Sequence, residues 1–377
     1  MRIGIDARLL AEPVTGIGRY TAEVSRELVQ LEGDFRFYTP KPPVVSGWEG
    51  PRSSLRSARF PGRVGKMVWS QTLLPYWAAR DRVDLFWGPT HRLPRFLPAS
   101  IARVVTIHDL VWKHAAQTMR PMSRMLEQRL MPEAVRLADR VMTDSKSTAD
   151  ALEDAFPESR GKVRVVPLGA TWLGPADSSA SLAVLGIDRP YFLFVGTLEP
   201  RKNLRRLLAA FASLPRDLRE ATLLVVAGGQ GWGGVDLDTL RAEYQLERQV
   251  ILTGYVSDAQ LATLYAHARF LAMPSLYEGF GLPLVEAMQY GTPVLVSDSS
   301  SMPEVASDAG MLVDPLDVRA MAEALVLLIR EDAVRDRLAA RAKENAEKFS
   351  WTRAAREAME IFAEAVAERR GRAEGPA

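Results

Sequence analysis

From Tyr191 onward the chain repeats one pattern: a short apolar run, a polar or glycine-rich turn, then apolar residues at helical spacing. The runs are Tyr191–Val195, Ala221–Ala227, Val250–Leu252, Arg269–Ala272 and Pro293–Val296. Apolar residues at nearly every position, rather than every second one, mean that both faces of a strand are covered. That is the signature of parallel strands held between layers of helix. The helical patterns between and after them are Leu204–Leu214, Leu237–Tyr244, Asp258–His267 and Pro283–Tyr290. The first half carries strand candidates at Arg2–Ile5, Phe35–Tyr38, Leu85–Trp87, Arg103–Ile107, Arg140–Thr143 and Val163–Val166, with a helical pattern over Tyr20–Leu31. Strand and helix alternating at this rhythm predict two doubly wound α/β domains.

A chain of 377 residues accommodates two such cores. The segment Pro167–Ala180, rich in Gly, Pro, Ser and Ala, reads as the junction. The expected division is a first domain over 1–168, a linker over 169–188, a second domain over 189–350, an amphipathic helix over 351–366 and a disordered tail over 367–377.

Composition removes several classes of function. There is no cysteine, which excludes disulfides, thiolate metal sites and a cysteine nucleophile. No apolar stretch reaches the length of a membrane span, and the opening Met1–Asp6 reads as a strand, so a cytoplasmic protein is expected. The net charge of +2 conceals an asymmetry: residues 1–168 carry 26 Lys and Arg against 18 Asp and Glu, and residues 169–377 carry 22 against 28. The basic extreme is residues 41–80, with seven Lys and Arg and Glu49 as the sole acid. There Phe60, Met67, Val68, Trp69 and Trp77 are interleaved with Arg52, Arg56, Arg59, Arg63 and Lys66. Such a stretch suits an anionic surface or is a solvated face; no nucleic-acid motif accompanies it.

The richest motif is Glu278-Gly-Phe-Gly-Leu-Pro-Leu-Val-Glu286, which follows the apolar run Phe270–Met273. Gly279, Phe280 and Gly281 form a turn that enters a short helix at Leu282. Pro283 fits its first turn, where the missing N–H has no partner to lose. Gly291 is placed to end it. A glycine turn at a helix N-terminus presents backbone N–H groups and the positive end of the dipole to an anion such as phosphate. Glu278 and Glu286 flank that turn and can accept hydrogen bonds from hydroxyl groups, which together describe a nucleotide-sugar site. A second motif, Val195-Gly-Thr-Leu-Glu-Pro-Arg-Lys-Asn203, places Arg201 and Lys202 beside a helix N-terminus, where cations are out of place unless an anion lies between.

These segments resemble the retaining glycosyltransferases of family 4, and the resemblance runs from Met1 to about Phe362. It implies the GT-B fold: two Rossmann-like domains facing a central cleft, with the C-terminal helix crossing back to the first. It implies that Lys202 and Arg201 hold the donor diphosphate, with Gly279, Phe280, Gly281 and Leu282 beside it. Glu278 would hold a sugar hydroxyl and Glu286 the ribose hydroxyls. Here Thr197 and Arg201 depart from the commoner family pattern, which makes Lys202 the firmer assignment. The Gly16 and Gly18 pair in Thr15–Tyr20 resembles the family's glycine loop after the first strand. It lacks the third glycine of a dinucleotide fingerprint, since Thr21 stands there, which argues against NAD or FAD.

His108, one of four histidines, follows a strand in Thr106–Trp112 and by resemblance contacts the transferred sugar. Asp109 either orients His108 or meets the acceptor. Tyr255 lies in a segment resembling the one that holds the nucleobase through backbone groups. No cofactor and no metal are expected, the nucleotide sugar being a co-substrate. The expected donor is GDP-mannose or a GDP-linked 6-deoxy relative, D-rhamnose, with UDP or dTDP sugars as alternatives. The expected acceptor is a saccharide on a polyprenyl diphosphate, in lipopolysaccharide-type polysaccharide synthesis, with residues 52–77 touching the inner membrane face. A nucleotide-sugar epimerase or hydrolase of the same fold is the rival reading.

Overall fold

The computed structural model describes residues 1–12, 16–60, 62–233 and 236–374, with the side chains of Arg63, Ala180, Ala373 and Glu374 outside that set. The chain forms two compact units. The first contains Met1–Leu110, Met125–Gly169 and the chain from Ser350; the second contains Val111–Arg124 and Ala170–Phe349.

The first unit is built on β1 (Arg2–Asp6), β2 (Asp34–Thr39), β3 (Ser53–Ser57), β4 (Leu85–Gly88), β5 (Ala102–Ile107), β6 (Arg140–Thr143) and β7 (Val163–Val165), in the order β3-β2-β1-β4-β5-β6-β7. Every pairing is parallel, with Ile5 opposite Phe37 on one side and Trp87 on the other. The second unit has β8 (Tyr191–Val195), β9 (Leu223–Ala227), β10 (Val250–Gly254), β11 (Leu271–Met273), β12 (Val294–Ser297) and β13 (Gly310–Val313), in the order β10-β9-β8-β11-β12-β13. Its pairings are also parallel. In each sheet the strand order reverses beside the opening strand, between β1 and β4 and between β8 and β11. Loops leaving the carboxyl ends of those neighbours turn to opposite faces and leave a crevice, which is where open α/β sheets bind ligands.

The apolar runs mark the central strands because these are covered on both faces: β8 and β9 are buried at every position. Phe192 packs edge-on against Phe211 and stacked against Phe270, at 5.1 and 5.2 Å between ring centroids. Each such side chain contributes about 1.5–3 kcal/mol by leaving water. Strand β3, Ser-Ser-Leu-Arg-Ser, lies at the sheet edge and is largely polar and partly exposed, so an apolar-run criterion passes over it.

Two expectations are corrected. The segment read as a glycine loop is the first turn of the helix Gly16–Leu28, while Thr15 lies outside the described residues. Tyr20 anchors this turn, being buried with its hydroxyl 3.1 Å from Thr106 Oγ1. The closing helix does not give way to a disordered tail at 367: it runs Trp351–Glu374. Polar pairs hold its last turns, Arg369 Nη2 donating to Asp139 at 2.7 Å and Arg370 Nη2 to Asp84 at 3.0 Å. Its start is set against Gly169, where a Cβ would come within 2.3 Å of the Trp351 nitrogen.

The basic stretch combines a buried aromatic residue, paired charges and exposed side chains. Trp69 is fully buried, with the Arg8 guanidinium 5.5 Å from its ring. Arg56 is bound to Asp81, its Nε donating at 2.7 Å, and Lys66 and Lys41 share Glu12. The helices Gly62–Gln71 and Leu73–Arg80 expose the large apolar side chains of Val64, Met67, Val68 and Tyr76 together with the charged Arg80. The Arg63 side chain lies outside the described residues. Among the described residues no helix is long and apolar enough to cross a membrane.

Candidate active site

Both halves of the motif evidence in the second unit converge on the β8–β11 crevice. Lys202 closes a single 3₁₀ turn, Pro200–Lys202, and Asn203 then takes a left-handed conformation (φ 61°) before the helix Leu204–Ala212. The Asn203 amide makes this reversal tolerable by donating to the carbonyls of Pro274 and Pro315, at 2.9 and 2.7 Å. The loop after β8 is thereby tied to the loop after β11. Gly196 makes room for the lysine, since a Cβ there would stand 3.3 Å from Lys202 Cε.

The tie brings opposite charges together. Lys202 Nζ donates to Glu278 Oε1 at 2.6 Å and Arg201 Nη1 lies 2.5 Å from Oε2 of the same carboxylate. Arg201 also reaches Glu199 Oε1 at 2.5 Å and the Tyr277 carbonyl at 2.7 Å. Lys202 and Glu278 are both more than nine-tenths buried. Burial on its own would raise the Glu278 carboxyl; the charges of Arg201 and Lys202 and the hydrogen bonds overcome it and bring the group down to about 2. Glu278 is therefore an ionised acceptor throughout the physiological range.

The turn after Glu278 is braced from behind. The Ser301 hydroxyl lies 3.0 Å from the Glu278 carbonyl and 3.2 Å from that of Phe280, and the Glu278 N–H donates to Ser300 Oγ. Gly281 has φ 100°, and a Cβ there would come within 2.6 Å of Met302 Cε, so both conformation and space require glycine. The helix Leu282–Gln289 that follows has no side-chain cap on its N-terminus. Glu286, in its second turn, is buried and accepts a hydrogen bond from the Tyr265 hydroxyl at 2.9 Å, so it is not a solvated surface acid.

The segment Val111–Arg124, which leaves β5 in sequence, packs within this second unit. Val111 and Ala115 meet Tyr277, and the His114 ring stacks on Tyr277 at 5.2 Å. Trp232 Nε1 donates to the Thr118 carbonyl. The residue before Glu278 is thus clamped by the segment that follows His108 in the chain.

In the first unit the carboxyl ends of β4, β5 and β6 come together around His108. Its Nδ1 is 2.6 Å from Asp144 Oδ2 and its Nε2 is 2.9 Å from the Pro89 carbonyl. A carbonyl only accepts, so Nε2 carries a proton. Burial opposes charge on the ring, but Asp144 and the Pro89 carbonyl hold His108 above its ordinary value. The acid hydrogen-bonded to the ring is Asp144, and the charge of Asp109 also favours the protonated imidazole. Thr148 Oγ1 donates to the His108 carbonyl at 3.3 Å, and Ser145 caps the helix Lys146–Ala155 by accepting from the Thr148 N–H.

Residues 14–170 match the family described as Glycosyltransferase Family 4, and residues 181–349 match Glycosyl transferases group 1. The O-antigen chain mannosyltransferase B of Escherichia coli is 33% identical over 374 residues, an alignment spanning 93% of this chain and 96% of that protein. The chain belongs to glycosyltransferase family 4. Its fold is GT-B, shared with solved structures at low sequence identity. Sucrose-phosphate synthase from Thermosynechococcus elongatus has a TM-score of 0.78 at 22% identity, covering 97% of this chain and 99% of that one. HepE of Anabaena, in complex with UDP and glucose, has a TM-score of 0.73 at 17% identity, covering 97% and 100%.

Within this glycosyltransferase, Arg201, Lys202, Glu278, Gly279, Phe280, Gly281, Leu282 and Glu286 share the two loops and one helix of the β8–β11 crevice. Tyr255 stands apart from them just beyond β10, 80% exposed. Gly16, Gly18, His108 and Asp109 belong to the first unit. Among the described residues a Cβ at Gly16 would meet nothing within 4 Å. Sequence reasoning missed Asn203 as the tie, Glu199 as the second acid on Arg201, and His91 and Asp144 as the groups holding His108. The Arg-Lys-Asn triplet was a usable signal for the first. Asp144 follows β6 and His91 follows β4, each with no motif around it.

Proposed function

We propose that this glycosyltransferase moves a mannose-type hexose, mannose or D-rhamnose, from a GDP-linked donor to a saccharide acceptor with retention of anomeric configuration, in building a cell-surface polysaccharide. The observation that carries the reading is the buried Lys202–Glu278 pair at 2.6 Å, beside a helix N-terminus whose N-cap residue is the glycine Gly281. In a retaining transfer the bond from the sugar C1 to the diphosphate oxygen breaks and the acceptor oxygen bonds C1 on the same face. The acceptor proton passes to an oxygen of the departing diphosphate, so no protein nucleophile is needed. The transition state resembles an oxocarbenium ion, and negative charge accumulates on the leaving group. Lys202, Arg201 and the N–H groups around Gly281 are the stabilisers in this reading.

Glu278, ionised and pre-oriented by two cations, accepts from a sugar hydroxyl, and Glu286 from the ribose. The backbone near Tyr255 meets the base, and His108 and the open face of Gly16 meet the sugar and its acceptor. The similarity to an O-antigen chain mannosyltransferase over nearly the whole length supports mannose and a saccharide acceptor, which we place on a lipid carrier. The exposed Val64, Met67, Val68 and Tyr76 support peripheral contact with a membrane bearing that acceptor.

The test is thermal stabilisation of the purified protein by GDP, UDP, dTDP and ADP in turn, followed by turnover of the matching sugars. A shift specific to GDP and release of GDP from GDP-mannose in the presence of acceptor are the expected results. A shift specific to UDP or dTDP would replace the donor, and indifference to all four would remove the nucleotide-sugar reading.

A further inference from the structure

His91 lies three residues beyond β4, in a left-handed backbone conformation (φ 59°) and 6% exposed. A buried non-glycine residue seldom holds this conformation unless its surroundings impose it. Here they do. Its N–H donates to the Thr106 carbonyl at 3.1 Å. Its Nε2 lies 2.9 Å from the main-chain nitrogen of His108, and its Nδ1 lies 3.3 Å from Glu127 Oε2. A main-chain N–H can only donate, so Nε2 of His91 accepts, and Nδ1 carries the proton that Glu127 receives. Arg92 pairs with the other oxygen of Glu127 at 3.3 Å. The His108 ring lies 5.3 Å away, bonded to Asp144 and to the Pro89 carbonyl.

We infer that His91 is a positioning residue for glycosyl transfer: fixed as its neutral Nδ1–H tautomer, it accepts the His108 main-chain N–H and orients the backbone that presents His108 to the sugar. The inference rests on the reading that His108 faces the transferred sugar. It assigns to the loop after β4 a function that the motifs give only to the loop after β5. Three bonds lock the two loops together: Pro89 carbonyl to His108 Nε2, His91 Nε2 to His108 N–H, and His91 N–H to the Thr106 carbonyl. Turning the His91 ring, or moving the proton to Nε2, removes the acceptor and leaves a buried N–H at His108 without its partner.

The chain has four histidines, so labelling histidine with ¹⁵N gives a spectrum in which each ring can be assigned by single substitution. The expected result is His91 protonated at Nδ1 and bare at Nε2, at the pH where turnover is measured. A His91 protonated at Nε2 overturns the inference. The kinetic arm uses GDP release from GDP-mannose with His91→Leu, which removes the acceptor, and His91→Gln, whose Oε1 stands where Nε2 stood. His91→Leu should lower kcat 10- to 100-fold with little change in donor KM, and His91→Gln should recover most of the loss. The ¹⁵N signals of the remaining histidines report whether each variant is folded.

If His108→Ala lowers kcat while His91→Leu does not, the role given to His91 is wrong and the reading of His108 stands. If neither substitution matters although His91 has the expected tautomer, His108 does not serve the sugar and both ideas fall together. An unrecovered loss in His91→Gln would place the effect in packing and overturn the acceptor role.

Discussion

The two units carry comparable devices at the carboxyl edges of their sheets, a buried acid set against buried donors, yet they differ in what holds the charge. In the second unit Glu278 faces a guanidinium and an ammonium group, Arg201 and Lys202. In the first, Asp144 faces His108, whose charge depends on pH. Both clusters are assembled from loops on neighbouring strands: β8 with β11, and β5 with β6. The comparison teaches that a site needing permanent charge against a diphosphate can be written as a local motif. A site that orders a backbone segment is instead spread over three strand ends, and only its central histidine draws notice.

The sharpest way to break the comparison is to remove the acid in the second unit. Glu278→Gln leaves Arg201 and Lys202 buried without their shared carboxylate, and should cost about 3–5 kcal/mol of unfolding free energy, measured by urea denaturation at pH 7. The same experiment run toward acid tests the sign. The Glu278 carboxyl lies at about 2 in the folded protein, below its ordinary 4.5. Its contribution is therefore present above pH 4.5 and is lost as pH falls toward 2. Wild type should lose stability across that window more steeply than Glu278→Gln, and equal slopes would remove the ion pair from the account.

Lys202→Ala comes next. Arg201 still holds Glu278, so the fold should persist by circular dichroism, while the rate of sugar transfer falls about 100- to 1000-fold, the effect of removing one stabiliser of leaving-group charge. Normal turnover by the folded variant would reject the role given to Lys202.

The first unit should respond more gently and with the opposite dependence on pH. His108 stands above its ordinary value, so its pairing with Asp144 stabilises the fold below about pH 6.5 and is lost as pH rises through the raised folded value. Melting temperature followed from pH 6 upward should decline more in wild type than in Asp144→Asn. A parallel decline would separate His108 from the titration. The smallest effect is expected at the helix cap: Ser145→Ala should cost about 1 kcal/mol, read as a shift in the urea midpoint. An unchanged midpoint would mean that the Thr148 hydrogen bond adds nothing.

The central strands were readable because burial on both faces favours apolar residues throughout, and the run at Tyr191–Val195 coincides with β8. β3 was not, since an edge strand keeps one side toward solvent and its serines carry no apolar signal. The closing helix was visible, but its length was not. Charged residues after 366 look like a tail until Asp139 and Asp84, more than two hundred residues earlier, pair with Arg369 and Arg370. The pairing of the basic stretch was hidden for the same reason: Arg56, Lys66 and Lys41 look unpaired along the chain, and their acids Asp81 and Glu12 lie outside the 41–80 window.

By itself the sequence determined the two parallel-sheet domains, the glycine turn after Glu278 and the presence of a cation pair before the Leu204–Ala212 helix. Each follows from local rules of burial, backbone conformation and spacing. Only the tertiary structure decided which charges meet. The Lys202–Glu278 contact joins residues 76 apart and the His108–Asp144 contact residues 36 apart. Such pairings depend on strand order, which a single chain of residue preferences does not encode position by position.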